Sequence, residues 1–277
     1  MPSLPDIKDI IQKECHRFLR RDEGVWILMD ESFDKRLSGF LRKFENGRKH
    51  EKPDLLKPSD YLALPYNRHR TYKLEWVFRQ GSLEIINRLL VSRKKQLILE
   101  VGSWNSWLTN RMTEEGHMVV AIDYFIDERD GLKAKKRYVN DWIAIQADIS
   151  NPLFFSVKFD SIIINHCLQY FSNPIEYIQS LKALLKEDGK IIVIGLSLYR
   201  NPEKKKAQVK EYLQNSIIKS GIGFFNPTKG YLDFEDKEKM ERQGFKFYPY
   251  YPKMYFRNIY SLLNSSKPRY SYAIFSM

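Results

Sequence analysis

Short apolar runs alternate with amphipathic stretches along most of the chain. Leu97-Ile98-Leu99, Met118 to Ile122, Trp142 to Ala147, Phe159 to Asn165 and Lys190 to Gly195 have the length and composition of strands buried on both faces. Between the first two runs, Leu108 and Met112 stand four apart, and Gly116 closes the stretch as a helix C-terminal glycine does. Asn173, Pro174 and Glu176 suit the N-cap, N1 and N3 positions of a further helix. Ile175, Ile178, Leu181 and Leu185 give that helix one apolar face, and Asp188-Gly189 is expected to end it. The pattern predicts basic helices over 130–139 and 199–223 and a short helix over 234–243. Two final strands are expected at 245–251 and 270–276. Upstream, Glu14 to Met29 predicts a hairpin turning at Asp22-Glu23-Gly24. Phe33 to Phe44 and Thr71 to Leu90 have helical spacing, the second weakened by Gly81 by up to about 1 kcal/mol. Pro53 and Pro58 break the chain between them. Tyr61 to Tyr72 fits either a lid or a surface connection.

Strand alternating with helix predicts an α/β fold with a parallel sheet. Three strands end on acids: Glu100, Asp123 and Asp148. In such sheets the loops at the carboxyl ends of the strands hold the ligand. An acid at the tip of the second strand suits a pair of ribose hydroxyls. A dinucleotide site wants Gly-x-Gly-x-x-Gly, so that pyrophosphate can approach the backbone. Here those positions hold Gly102, Trp104 and Trp107, and an indole obstructs that approach. NAD is therefore not expected to bind. An ordinary crossover without a ligand would carry the same elements.

The chain resembles the class I S-adenosylmethionine (SAM) methyltransferases. Their Glu/Asp-x-Gly-x-Gly-x-Gly loop is matched by Glu100, Gly102, Trp104 and Ser106, with only the first glycine kept. Some families of the class carry Trp followed by an acid or amide there, as Trp104-Asn105 does. The Phe159-Asp160 opening, the Asn165-His166-Cys167-Leu168-Gln169-Tyr170 segment and the Leu181-to-Lys190 signature extend the match. It covers roughly Thr71 to Met277. The resemblance implies a doubly wound, seven-stranded, mostly parallel Rossmann-like sheet over 71–277, ending in an antiparallel pair. Residues 1–70 are expected to form an N-terminal extension of hairpin plus helix that could serve as a lid, and the hairpin resembles the ribbon of several bacterial methyltransferases without its ligands. The implied cofactor is SAM, with S-adenosylhomocysteine as product. Glu100, Gly102, Ser103, Asn105, Asp123, Tyr124, Asp148, Ile149 and Asn165 would hold it. Asp123 would take the ribose, and Asp148 with the next N–H would take the adenine. His166 is the candidate base, with Tyr170 beside it. The Trp104 indole is expected to turn outward and pack with Leu108 and Met112. The cavity between Gly102, Asp123 and Asp148 would then stay open. A non-catalytic member of the fold is the alternative.

At 277 residues and 43% hydrophobic content, the chain can build one large domain or a domain with an extension. No apolar run approaches the roughly 20 residues of a membrane span, and no signal peptide is expected. Two cysteines, Cys15 and Cys167, cannot form a metal site or a disulfide framework. No metal is expected, and a reducing cytoplasm is the expected compartment. The net charge is +12, and residues 200–277 carry 15 basic and 7 acidic side chains. That surplus is either a bias toward solvated lysine or a surface for nucleic acid or an acidic substrate. A small-molecule acceptor is the expected partner, with RNA modification or binding as the alternative.

Overall fold

The apolar runs form the strands their pattern predicts, in a computed structural model that describes residues 4–48, 57–66, 73–91, 94–221 and 223–277. From the N-terminus, Ile7–Ile10 (α1) precedes a hairpin of Leu19–Asp22 (β1) and Val25–Leu28 (β2). Glu23 and Gly24 take φ 44° and 85°, the left-handed pair that a two-residue hairpin turn needs. Three helices follow: Glu31–Arg48 (α2), Pro58–Ala63 (α3) and Lys73–Leu90 (α4). Next come Leu97–Val101 (β3), Trp107–Glu114 (α5), Met118–Asp123 (β4), Ile143–Ala147 (β5), Phe159–Asn165 (β6) and Pro174–Leu181 (α6). The chain closes with Leu185–Tyr199 (β7), Glu203–Ser220 (α7), Leu232–Asp233 (β8), Phe234–Arg242 (α8), Lys246–Pro249 (β9), Tyr255–Leu263 (α9) and Arg269–Ser276 (β10).

The strands form one sheet in the order β1-β2-β5-β4-β3-β6-β7-β10-β9, with β8 beside β7. Strands β3 to β7 run parallel, and β10 is antiparallel to both β7 and β9. The seven strands from β5 to β9 are the expected sheet. The hairpin adds two more by pairing β2 parallel to β5, Trp26 opposite Ile145. The strand order reverses at β3, which has β4 on one side and β6 on the other, and a crevice for ligands opens at that point.

Period-two alternation divides the strand side chains between two cores. Leu99, Val101, Val120, Ile122, Ile162 and Ile164 pack under α1, α6 and α8. Ile98, Val119, Ala121, Ile163, Ile192 and Ile194 pack under α3, α4 and α5. A third cluster lies over the strand tips. Phe33, Leu37, Phe40 and Leu41 of α2 meet Tyr124, Phe125 and Phe225 there, and Phe225 lies 5.2 Å from the Phe40 ring centre. The helix of the extension thus covers the loop after β4.

Several elements differ from the pattern. Helix α6 ends at Leu181, a 3-10 turn spans Lys182–Leu184, and Leu185 already belongs to β7, paired with Phe159. Leu185 fits a helix face by spacing, but the strand partner wins. The basic stretch 130–139 holds only a 3-10 turn, Leu132–Arg137. Asp127 takes the N–H groups of Arg129 (3.0 Å) and Asp130 (2.7 Å), fixing a tight turn before it. Tyr61 and Leu64 are buried, and Arg111 of α5 donates to Leu62 and Leu64 carbonyls at 2.7 and 2.8 Å. The rest of the expected lid, 67–72, lies outside the described residues. Gly81 brings Tyr250 and Lys253 close, since a Cβ there would stand 3.2 Å from the Tyr250 ring.

Candidate active site

Strand β3 delivers Glu100 into the protein interior, where a carboxylate needs partners. Thr109 of α5 donates its hydroxyl to one oxygen and Asn165 Nδ2 donates to the other at 2.7 Å. Burial still lifts the Glu100 carboxyl to about 7. Glu100 therefore ties β3, α5 and β6 together beneath the loop, with both oxygens already engaged.

The loop itself keeps an unusual backbone. Gly102, Trp104 and Ser106 have φ of 71°, 52° and 61°. These are the three glycine positions of the motif, and two non-glycine residues hold the left-handed conformation at a cost of about 1–3 kcal/mol each. The Trp104 N–H donates to Asp123 Oδ2 at 2.7 Å, and the Phe125 N–H to Asp123 Oδ1 at 3.0 Å. Asp123 is only 5% exposed, and burial raises its carboxyl to about 6. Each of its oxygens retains a lone pair for a further donor. The hydroxyls of Ser103 and Ser106 and both amide atoms of Asn105 are buried with no hydrogen-bond partner among the described residues. Native proteins rarely leave such groups unsatisfied without a reason.

The indole of Trp104 packs on α4. Its ring lies 6.3 Å from Trp76, and the Arg79 guanidinium sits 4.3 Å from its centre. Trp104 packs against the core cluster that holds Leu108 and Met112. Cys167 Sγ lies where a Cβ on Gly102 would be. The Tyr124 hydroxyl donates to Asp148 at 3.0 Å, and Asn226 donates to that hydroxyl at 3.2 Å. Gln146 holds the Tyr124 carbonyl at 2.8 Å. Cys167 and Tyr124 thus stand against Gly102 and Asp148, at two corners of the expected cavity. Ile149, beside Asp148, puts its side chain into the core.

His166, the expected base, sits within a hydrogen-bonded network. His166 also has a left-handed backbone, φ 57°. Its Nε2 bonds Ser82 Oγ at 2.8 Å; Ser82 Oγ stands 3.1 Å from the Tyr250 hydroxyl, which accepts from the Gly195 N–H at 2.7 Å. Burial, with Arg79 nearby, lowers its pKa to about 3. So weak a base is poorly matched to proton abstraction near neutral pH. A Cβ on Gly195 would overlap the imidazole, so that glycine makes room for it. The geometry makes His166 a neutral member of a four-residue network tying β6, β7, α4 and the loop after β9. Tyr170 is 51% exposed at the rim, 5.7 Å from the Phe224 ring. Cys167 lies in the segment expected to line the site, whereas Thr109, Gln146, Asn226 and Phe225 shape it without having been legible as site residues. Only Thr109 left a signal, as a hydroxyl one helical turn inside α5 and within reach of a buried acid.

The strand order, the antiparallel last pair and the loop after β3 define a Rossmann-like methyltransferase fold. The chain matches the family described as "Methyltransferase domain" over residues 66–219, more than half its length, and belongs to that family. No curated protein matches it. Among solved structures it is similar to the plantazolicin methyltransferase BamL in complex with a triazolic desmethylPZN analog and SAH, at 16% identity and TM-score 0.46, covering 87% of this chain and 98% of that one. It is similar to magnesium protoporphyrin IX methyltransferase (ChlM) from Synechocystis PCC 6803 with bound SAH, at 14% identity and TM-score 0.48, covering 89% and 100%. A third is 1,6-didemethyltoxoflavin-N1-methyltransferase of Burkholderia thailandensis, at 15% identity and TM-score 0.45, covering 79% and 86%.

Proposed function

We propose that the protein transfers the methyl group of S-adenosylmethionine to a small-molecule acceptor at the carboxyl ends of β3, β4 and β6, releasing S-adenosylhomocysteine. The observation that carries this reading is the loop backbone. Three left-handed positions are held at Gly102, Trp104 and Ser106 although two are not glycine, and a strained loop of this kind persists where a site requires it. The unpartnered Ser103, Asn105 and Ser106 atoms supply the donors and acceptors that an amino-acid moiety needs. Asp123 can accept ribose hydroxyls on its remaining lone pairs. Asp148 and the N–H of Ile149 suit the adenine edge once Tyr124 lets go of Asp148. Glu100 and Asn165 hold the loop from below.

The sulfonium supplies an activated methyl group for in-line displacement, so the chain's task is to position and to exclude water. With its Nε2 bonded to Ser82, His166 offers little help, so the reading favours an acceptor atom that is nucleophilic on its own. A carboxylate, an ionised phenol or an unprotonated nitrogen meets that condition. Tyr170, exposed beside Phe224, would contact the acceptor.

Two contacts favour the second reading, a non-catalytic member of the fold: Cys167 crowds Gly102, and Tyr124 occupies an oxygen of Asp148. Calorimetry decides between them. S-adenosylhomocysteine should bind and NAD should not. Asp123→Ala should weaken S-adenosylhomocysteine binding at least tenfold with an unchanged circular dichroism spectrum, since bonds to a charged group contribute about 1.5–3 kcal/mol each. Absence of S-adenosylhomocysteine binding, or tighter binding of NAD, would remove the proposal.

A further inference from the structure

The last helix, α9, is built inside out. Asn258 and Ser261 face the protein, with Met254 just ahead of them. Asn258 Nδ2 donates to the Tyr270 carbonyl at 2.9 Å, and its Oδ1 accepts from the Tyr270 N–H at 2.7 Å. The outer side carries Tyr255, Phe256, Ile259, Tyr260, Leu262 and Leu263, all exposed, with Phe256 at 83% and Leu263 at 84%. At 3.6 residues per turn these six fall on one face about 160° wide. A surface helix normally turns such a face inward. A contiguous exposed apolar face marks a surface that something covers.

The charges around it say what. From Arg242 to Met277 the chain has no acidic residue and six basic ones. Lys253 and Arg257 flank the apolar stripe. At the C-terminal end of the helix, Arg200, Lys267 and Arg269 line one shallow depression together with Leu262. Glu84 of α4 brings a carboxylate to the rim, 3.3 Å from Lys253. The surface therefore pairs an apolar ridge with a ring of cations. An anionic bilayer offers that complement, an apolar layer beneath a layer of phosphates. Tyr255 and Tyr260 carry hydroxyls suited to the boundary between the two layers. Single-stranded RNA would use the aromatic rings and cations but leave Ile259, Leu262 and Leu263 without a partner. Among the described residues no helix is long and apolar enough to cross a membrane, so the contact lies along the surface.

We propose that α9 anchors the protein to an anionic membrane surface, its apolar stripe entering the headgroup boundary and its cations meeting lipid phosphates. The topology gives the anchor a direction. Strand β9 is antiparallel to β10, which is antiparallel to β7, so β9 runs with β7. Helix α9 follows β9 and lies at the same end of the sheet as Glu100, Asp123 and Asn165. Docking through α9 would put the bilayer at the same end of the molecule as the candidate active site, within reach of an apolar acceptor.

Co-sedimentation of the full chain with vesicles tests this. The protein should partition onto vesicles of phosphatidylcholine containing phosphatidylglycerol at least tenfold more strongly than onto phosphatidylcholine alone, and high salt should weaken it. The double variant Phe256→Glu, Leu263→Glu should lose at least tenfold in partitioning. Both residues are solvent-exposed, so its unfolding midpoint should be unchanged. Failure of the full chain to bind either vesicle, or equal binding by the double variant, would overturn the proposal. So would a dimer in sedimentation that the double variant turns into a monomer while vesicles remain unbound, which would assign the stripe to a second copy. Salt-sensitive binding of a single-stranded RNA oligonucleotide, lost in the double variant and without vesicle binding, would overturn it in favour of nucleic acid. Vesicle binding needs no cofactor, so this outcome stands apart from the calorimetry above.

Discussion

Trp104 sits where the backbone favours glycine, and two effects compete there. Its left-handed conformation costs about 1–3 kcal/mol. Its indole, half-buried between Trp76 and Arg79, gains part of the about 3–5 kcal/mol that removing a buried Trp costs. Trp104→Gly relieves the first and forfeits the second. We expect a net loss of about 1–2 kcal/mol by urea unfolding, with S-adenosylhomocysteine affinity within a few-fold of wild type. A variant more stable than wild type would show that strain outweighs packing. Glu100 gives a pH signature. Its carboxyl is raised from an ordinary 4.5 to about 7, so the folded protein binds its proton more tightly than the unfolded chain does. That contribution is complete below the unfolded value and is lost as pH rises through about 7. Wild type should therefore lose about 3 kcal/mol relative to Glu100→Gln between about pH 5 and pH 8. Parallel stability curves for the two proteins would show that the acid is not desolvated. At this scale the sequence was legible where a residue ends an apolar run, as Glu100, Asp123 and Asp148 do. It was silent where the partner is distant. Ser82, Tyr250 and Gly195 surround His166 only after folding, and nothing local distinguishes a buried neutral histidine from a base.

The elements were legible wherever one period dominated. The buried strands β3 to β6, with apolar residues on both faces, left little room for another reading. Hairpin β1–β2 followed from Glu23-Gly24, whose backbone matches its turn. Errors arose where two demands fell on the same residues. Leu185 continues the apolar spacing of α6 yet pairs with Phe159, because the edge of β6 offers hydrogen bonds that another helical turn would forgo. Helix α9 was not expected, although Tyr255, Phe256, Ile259, Tyr260, Leu262 and Leu263 recur at helical spacing. Its inward positions are Asn258 and Ser261, so the apolar stripe faces out. The covering of the strand tips was legible only in outline. An N-terminal lid was expected, but the contact that forms it joins Phe33 and Phe40 of α2 to Phe225, nearly two hundred residues on. A pairing at that separation leaves no trace in either segment alone.

At the scale of the molecule, the extension is woven into the core rather than laid upon it. Strand β2 closes the β5 edge of the sheet, a row of backbone groups that would otherwise invite pairing with another chain. The residues before it enter the same core as α6 and α8. Ile10 and Ile11 are buried at 2% and 1% exposure. The Ser156 N–H donates to the Ile10 carbonyl at 2.9 Å, and the Gln12 N–H to the Phe154 carbonyl at 2.9 Å. Sequence placed a boundary near residue 70, but these contacts bind residue 11 to residue 155. We therefore expect one cooperative unit. Ile11→Ala opens a cavity beside Phe155 and should cost about 2–5 kcal/mol. Native-state hydrogen exchange locates that loss. If the chain unfolds as one unit, the slowest amides of β6 and β7 lose protection by the same free energy as those of β2. A loss confined to residues 4–28, with β6 and β7 as protected as in wild type, would show that the extension opens independently and that the core needs only the strands from β3 onward.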